Sequence, residues 1–342
     1  MRVSSLALTV AVLLISNICS ASIGSNFHID KNIAIKGNVY TSPVIKFDHP
    51  MDRAVLSWNV ATLGDSYIEL FLRARAEGHG WSNWFDMGVW GKNAENRSFT
   101  GQKNGFGKVD IDTLELNDAA TEWQYKIIVH KSTDGGAPTI YAVALAAKDS
   151  KNYKKESSGA VFETKQLTVP RLSQFETGNK ANRPDIGKRI CSPTSVTMLL
   201  IYNGVDNITP LDIAAKVYDK GENAYGNWSF NTATIFSYLS HSTSPSSFTS
   251  YVRWYDSFDE LLKNVDKGEP VVVSISFKEG ELKGAPMPTP GHLVLIRGAD
   301  AKYVYVNDPA APTWRTVARK YPRDEFIKAW KGVAYVVEKE TE

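Results

Sequence analysis

Cys191-Ser-Pro-Thr-Ser-Val-Thr-Met-Leu-Leu-Ile-Tyr202 is the stretch on which the reading turns. Val196, Leu199 and Leu200 fall at helical spacing. Pro193 stands near the start, where a helix tolerates proline because its first N–H groups have no partner inside the helix. The stretch therefore predicts a helix with Cys191 at its N-terminus. Free N–H groups and the helix dipole at that end stabilise negative charge, which lowers a thiol pKa and supplies donors to an oxyanion. A structural cysteine gains nothing from that position.

Downstream of this helix, Thr209-Pro210 caps a second one through Val217, and Ser257-Phe-Asp-Glu260 is a capping box before Leu261 and Leu262. Strands are expected at Val271–Phe277, His292–Arg297, Tyr303–Val306 and Val333–Val337. Helices followed by a run of strands make an α+β pattern. Upstream, residues 43–147 read as all-β. Strands are expected at 54–60, 68–75, 109–116, 123–130 and 139–147, separated by Gly/Asp turn signals. That series predicts a β-sandwich or jelly roll. Residues 148–160 are polar, charged and aperiodic, and read as a solvated linker. The expected organisation is a signal peptide at 1–21, a sandwich at 22–147, a linker at 148–160 and an α+β domain at 161–342. Trp81, Trp84 and Trp90 are expected in the sandwich core; if exposed, they suit stacking on sugar rings or a peptide, and a cell-surface polymer is the partner the sandwich would bind.

Composition narrows the function classes. The chain has 342 residues, 43% hydrophobic and 22% charged, with a net charge of +2. It lacks both a general field and a basic block for nucleic acid. Its six histidines and two cysteines form no metal-ligand spacing, so no metal or other cofactor is expected. Arg2, the apolar stretch Leu6–Ile15 and the small residues Cys19-Ser-Ala-Ser22 read as a signal peptide cleaved near Ala21. That apolar core is shorter than the about 20 residues of a spanning helix, and no other run approaches that length. A secreted or periplasmic protein is expected. Cleavage removes Cys19 and leaves Cys191 as the single thiol, which is unusual in an oxidising compartment.

A thiolate nucleophile wants a base. His292 follows Pro290-Gly291 and opens the strand Leu293-Val-Leu-Ile-Arg297. If that strand forms a hairpin with Tyr303–Val306, Asn307 or Asp308 comes beside His292 and orients the imidazole.

These fragments, with Val169-Pro-Arg-Leu-Ser-Gln174 and Val306-Asn-Asp-Pro309, resemble the double-glycine leader peptidase family, cysteine peptidase family thirty-nine, in its exported branch. The resemblance covers roughly residues 165–340. It implies a papain-like fold with Cys191 as nucleophile, His292 as general base, Asp308 as its orienting group and Gln174 as oxyanion donor. Ser192 stands where the family usually has Gly, so a side chain sits beside the nucleophile. Leu56-Ser-Trp58-Asn and Trp81-Ser-Asn-Trp84 resemble β-sandwich regions found ahead of such domains. The expected function is an exported cysteine peptidase acting on a peptide or related amide bond through a thioester. An inactive surface-binding protein and an acyl- or peptidyl-transferase with the same triad are the alternatives.

Overall fold

Alternating burial builds the first part of the molecule. A computed structural model of the protein describes residues 19–22, 26–91, 95–155, 162–242 and 247–339. The described strands there are β1 (Cys19–Ser22), β2 (Phe27–Ile33), β3 (Val39–Thr41), β4 (Ile45–Ala61), β5 (Tyr67–Arg75), β6 (Phe85–Trp90), β7 (Gly107–Asp110), β8 (Thr113–His130) and β9 (Thr139–Lys148). All pair antiparallel, in the order β1-β2-β9-β4-β8-β5-β6, with β3 and β7 also against β8. On β5, Ile68, Leu70, Leu72 and Ala74 are buried and their neighbours are not, which is the period of a half-buried strand. The long β4 and β8 shift register between Lys46 and Arg53, and the sheet folds back on itself. Strands distant in that order then meet across the interior. The Tyr125 hydroxyl on β8 donates to Asp30 on β2 at 2.6 Å. Trp58 on β4 packs edge-on against Trp90 on β6, with ring centroids 6.3 Å apart. The expected sandwich is present.

Two local expectations are corrected. Residues 109–116 are not one strand: the chain reverses between β7 and β8 at Ile111, whose φ is 56°. An isoleucine in the left-handed region carries no turn signal. Of the three tryptophans only Trp90 is in the core. Trp81 and Trp84 lie on the outer face of the sandwich, half-buried beneath cations. The Arg73 guanidinium sits 4.6 Å from the Trp81 ring and 4.4 Å from that of Trp84, and Lys126 lies 4.9 Å from Trp84.

The second part holds α1 (Gln174–Lys180), α2 (Pro184–Gly187), α3 (Cys191–Tyr202), α4 (Pro210–Val217), α5 (Trp228–Ser242), β10 (Phe248–Trp254), α6 (Phe258–Asp266), β11 (Val271–Phe277), β12 (Thr289–Ala299), β13 (Tyr303–Asn307), β14 (Ala318–Pro322), α7 (Arg323–Ala329) and β15 (Trp330–Lys339). The strands form one antiparallel sheet in the order β10-β15-β11-β12-β13-β14. Helix α3 packs on β11 and β12 and against α4 and α5. Ser192 to Leu200 are all buried, so α3 is covered on every side. Its buried hydroxyls are satisfied locally: Thr194 and Thr197 donate to the carbonyls of Ile190 and Pro193 at 2.7 and 2.8 Å. The whole is α+β, as expected.

The two parts share one contiguous buried cluster. Phe230 of α5 reaches Trp58 and Trp90 of the sandwich, with centroids 6.0 and 5.6 Å away. The Asn59 side chain bonds both ways to the backbone of Ser250, at 2.6 and 2.9 Å. Asp112, buried in the β7–β8 turn, accepts from the Trp228 N–H at the start of α5. Burial raises its carboxyl to about 7.

In the expected spacer Lys148, Tyr153 and Lys155 are docked, while Ser150, Lys151, Asn152 and Lys154 are exposed as expected. Lys148 lies over the rings of Tyr153 and Trp254, about 5 Å from each centroid. Lys155 donates to the carbonyls of Ile327 and Lys328 at 2.8 and 2.9 Å, in the last turn of α7. A cation suits the carbonyl end of a helix, and that helix is distant in sequence. Residues 156–161 lie outside the described residues. So does the expected signal peptide up to residue 18; its end, Cys19–Ser22, pairs with β2. No helix among the described residues is long and apolar enough to cross a membrane.

Candidate active site

Cys191 is the first residue of α3. The N-cap residue, Ile190, has a side chain that accepts nothing, so no cap occupies the first-turn N–H groups. The sulfur lies close enough to the His292 ring and to the N–H groups of Leu293 and Ser192 for each of them to favour its thiolate. Burial pushes the thiol pKa up. The His292 bond and charge, with the two N–H groups, outweigh it and hold the thiol below its ordinary value.

His292 lies on β12, where its backbone pairs with Ile275 of β11. Its Nε2 is 2.8 Å from Oδ1 of Asp308, which leaves Nδ1 as the ring nitrogen facing the sulfur. Burial favours the neutral imidazole, but Asp308, with Cys191 adding to it, outweighs burial and raises His292 to about 10. The expected hairpin of β12 and β13 forms, with Leu295 opposite Asn307 and Ile296 opposite Val306. Of the two candidates at its end, Asp308 faces His292. Asn307 turns the other way and donates to the carbonyl of Pro170 at 2.8 Å.

Asp308 is buried and has further donors that no sequence window marks. Ala310 N–H donates to Oδ1 at 2.8 Å, and the Tyr321 hydroxyl donates to Oδ2 at 2.5 Å. Burial pushes the carboxyl up; the His292 charge and these donors outweigh it and hold Asp308 below its ordinary value. Tyr321 itself is fully buried on β14 and stacked on Phe326. Burial and the neighbouring carboxylate push its phenol well up.

Gln174 opens α1, 17 residues before Cys191. The intervening chain folds as the α1–α2 pair, which closes through Gly178 and Gly187: a Cβ on Gly178 comes within 2.7 Å of Gly187 Cα. The start of α1 is tied to the segment after Asp308. Gln174 N–H donates to the Pro309 carbonyl at 2.9 Å, and the Ser173 hydroxyl donates to the Ala311 carbonyl at 2.6 Å. One set of contacts thus places both Gln174 and Asp308. The Gln174 side chain is buried, and its Oε1 has no hydrogen-bond partner among the described residues.

Cys191, His292, Asp308 and Gln174 line one cavity of about 330 Å³, walled by Phe175, Phe277 and Met287. All four candidate residues are brought together. Ser192 does not narrow this cavity. It is buried on the other side of α3, with its hydroxyl 3.0 Å from that of Tyr335.

Comparison with known proteins follows the same division of the chain. The model of the Peptidase_C39 like family matches residues 166–337, and that of the Peptidase C39 N-terminal domain matches residues 29–148. No curated protein matches the chain. Among solved structures, a protein of Bacillus anthracis described as a C39-like peptidase is 21% identical, with a TM-score of 0.33. The match covers 44% of this chain and 90% of that one. The peptidase domain of Streptococcus ComA, a bi-functional ABC transporter involved in a quorum sensing pathway, is 13% identical with a TM-score of 0.31. That match covers 45% of this chain and 93% of the other. The sequence match over half of its length makes this chain a member of the Peptidase_C39 like family.

Proposed function

We propose that the protein is an exported cysteine peptidase that hydrolyses a peptide bond through Cys191, His292 and Asp308, with Gln174 at the oxyanion. The observation that carries this reading is that Cys191, Gln174 and the His292–Asp308 pair, bonded at 2.8 Å, all line one cavity. A lowered thiol beside a raised imidazole shifts the pair toward thiolate and imidazolium.

The thiolate attacks the scissile carbonyl and forms a C–S bond. The carbonyl oxygen becomes an oxyanion, met by the Cys191 N–H and the side-chain amide of Gln174. As the C–N bond breaks, Nδ1 of His292 gives its proton to the leaving amine. Water then attacks the thioester while His292 takes a proton from it. Release of the acid returns the thiolate and the imidazolium. Asp308 holds Nε2 throughout, and Tyr321 holds Asp308.

Cys191→Ala is expected to retain the circular dichroism of the wild type. It should lose cleavage of a proteome-derived peptide library and labelling by a thiol-directed probe. Unchanged cleavage in that variant overturns the reading. Faster thioester turnover on adding an amine acceptor identifies transfer as the reaction instead of hydrolysis.

A further inference from the structure

The charge inventory of the cavity points beyond the chemistry. Its wall opposite the candidate residues is apolar: Phe175, Phe277, Pro286 and Met287. Met287 is 51% exposed, so this wall continues to the mouth. Apart from Cys191, His292 and Asp308, which belong to the proposed catalytic set, the one charged side chain lining the cavity among the described residues is Lys188. It stands three residues before Cys191, at the C-terminal end of α2, and is exposed. No carboxylate lies within ion-pair distance of its ammonium among the described residues. The next residue differs: the Arg189 guanidinium is bonded to the Asn223 carbonyl and lies over the Tyr225 ring, 5.3 Å from its centroid.

Beyond Phe277, Pro288 and Thr289 the cleft continues into a second groove. Its charged lining is Lys278, Glu279 and Glu281, a net negative set. The cleft is therefore cationic on the side of α2 and anionic past the β11–β12 connection. A field of this kind orients a peptide and rejects the reverse charge order.

We propose that Lys188 is a specificity-determining residue that selects peptides carrying an acidic side chain beside an apolar one close to the scissile bond. The apolar residue fills the space against Phe175, Phe277 and Met287. The carboxylate meets the Lys188 ammonium at the cavity rim, where an ion pair is partly screened and discriminates modestly. The acidic groove past Thr289 turns a carboxylate away from the opposite side. This inference rests on the peptidase reading above.

The test is cleavage-site profiling of a proteome-derived peptide library by the full chain, by Lys188→Glu and by Cys191→Ala as blank. Wild-type sites are expected to show Asp or Glu enriched at one fixed position near the cleaved bond, with an apolar neighbour. Lys188→Glu should move the enrichment at that position to Lys and Arg. It should lower kcat/KM for an acidic peptide about tenfold, an effect the size of a partly exposed charge contact. Lys188→Glu should still cleave a matched peptide with Gln at that position above the Cys191→Ala blank, which shows that the variant is folded, and the acidic-to-Gln rate ratio is the quantity compared with the wild type. Wild-type sites without an acidic position, or the same acidic enrichment in Lys188→Glu, overturn the role of Lys188 and leave the peptidase reading standing. Absence of any cleavage above the Cys191→Ala blank overturns both.

Discussion

The charge on Asp308 decides the protonation of the proposed base. Burial alone makes His292 a weak base; the carboxylate 2.8 Å away is the largest influence against that, with Cys191 adding to it. Asp308→Asn removes the charge while keeping a side-chain oxygen in place. The His292 pKa should fall, so protonation of the leaving amine fails at a lower pH. In a pH series of kcat/KM the alkaline limb is expected to move toward neutrality, with activity at pH 8 down at least about tenfold. A limb that stays in place counts against Asp308 as the orienting group. The same groups set a stability window. Asp308, held low, contributes stability present above its unfolded value of about 4 and lost as pH falls. His292, held high, contributes stability present below about 6.5 and lost as pH rises toward its folded value.

Helices differ in how much of themselves the sequence declares. Helix α4 carries a full capping box, with Thr209 and Asp212 each bonding the other's backbone, and its expected end at Val217 is met. Ser257 caps α6 as expected, but Glu260 does not return the bond; its carboxylate pairs with Arg253 at 2.6 Å. Helix α5 went unannounced because it is buried by the sandwich, by β10 and by α3, and so has no polar face to give a period. Its role is read in Phe230, fully buried between Trp58 and Trp90. Phe230→Ala should cost about 3–5 kcal/mol, the range for a buried aromatic truncated in a core. A denaturant midpoint that falls with an unchanged m-value checks it; a loss under about 1 kcal/mol means the junction collapses around the gap or contributes little.

At the scale of the molecule, the sandwich and the α+β part behave as one packed body. Asn59, Asp112, Lys148 and Lys155 each satisfy backbone or aromatic groups of the other part. Calorimetry is therefore expected to give one cooperative transition rather than two. Two separated transitions reject the shared core.

The sequence alone determined the sandwich and the helix that begins at Cys191 and singled out His292 as its partner, because periodicity, capping and short motifs are local, while Gln174 is named only through the family resemblance. Only the tertiary structure chose Asp308 over Asn307, since neighbours on a strand's end point to opposite faces. It alone brought in Tyr321, turned Ser192 away from the cavity, and folded the 17-residue step so that Gln174 returns to Cys191. It also pinned Lys148 on Trp254 and Lys155 on the end of α7, each more than a hundred residues away. Each of these outcomes depends on contacts between distant segments, and a residue's letter carries no record of which distant group will face it.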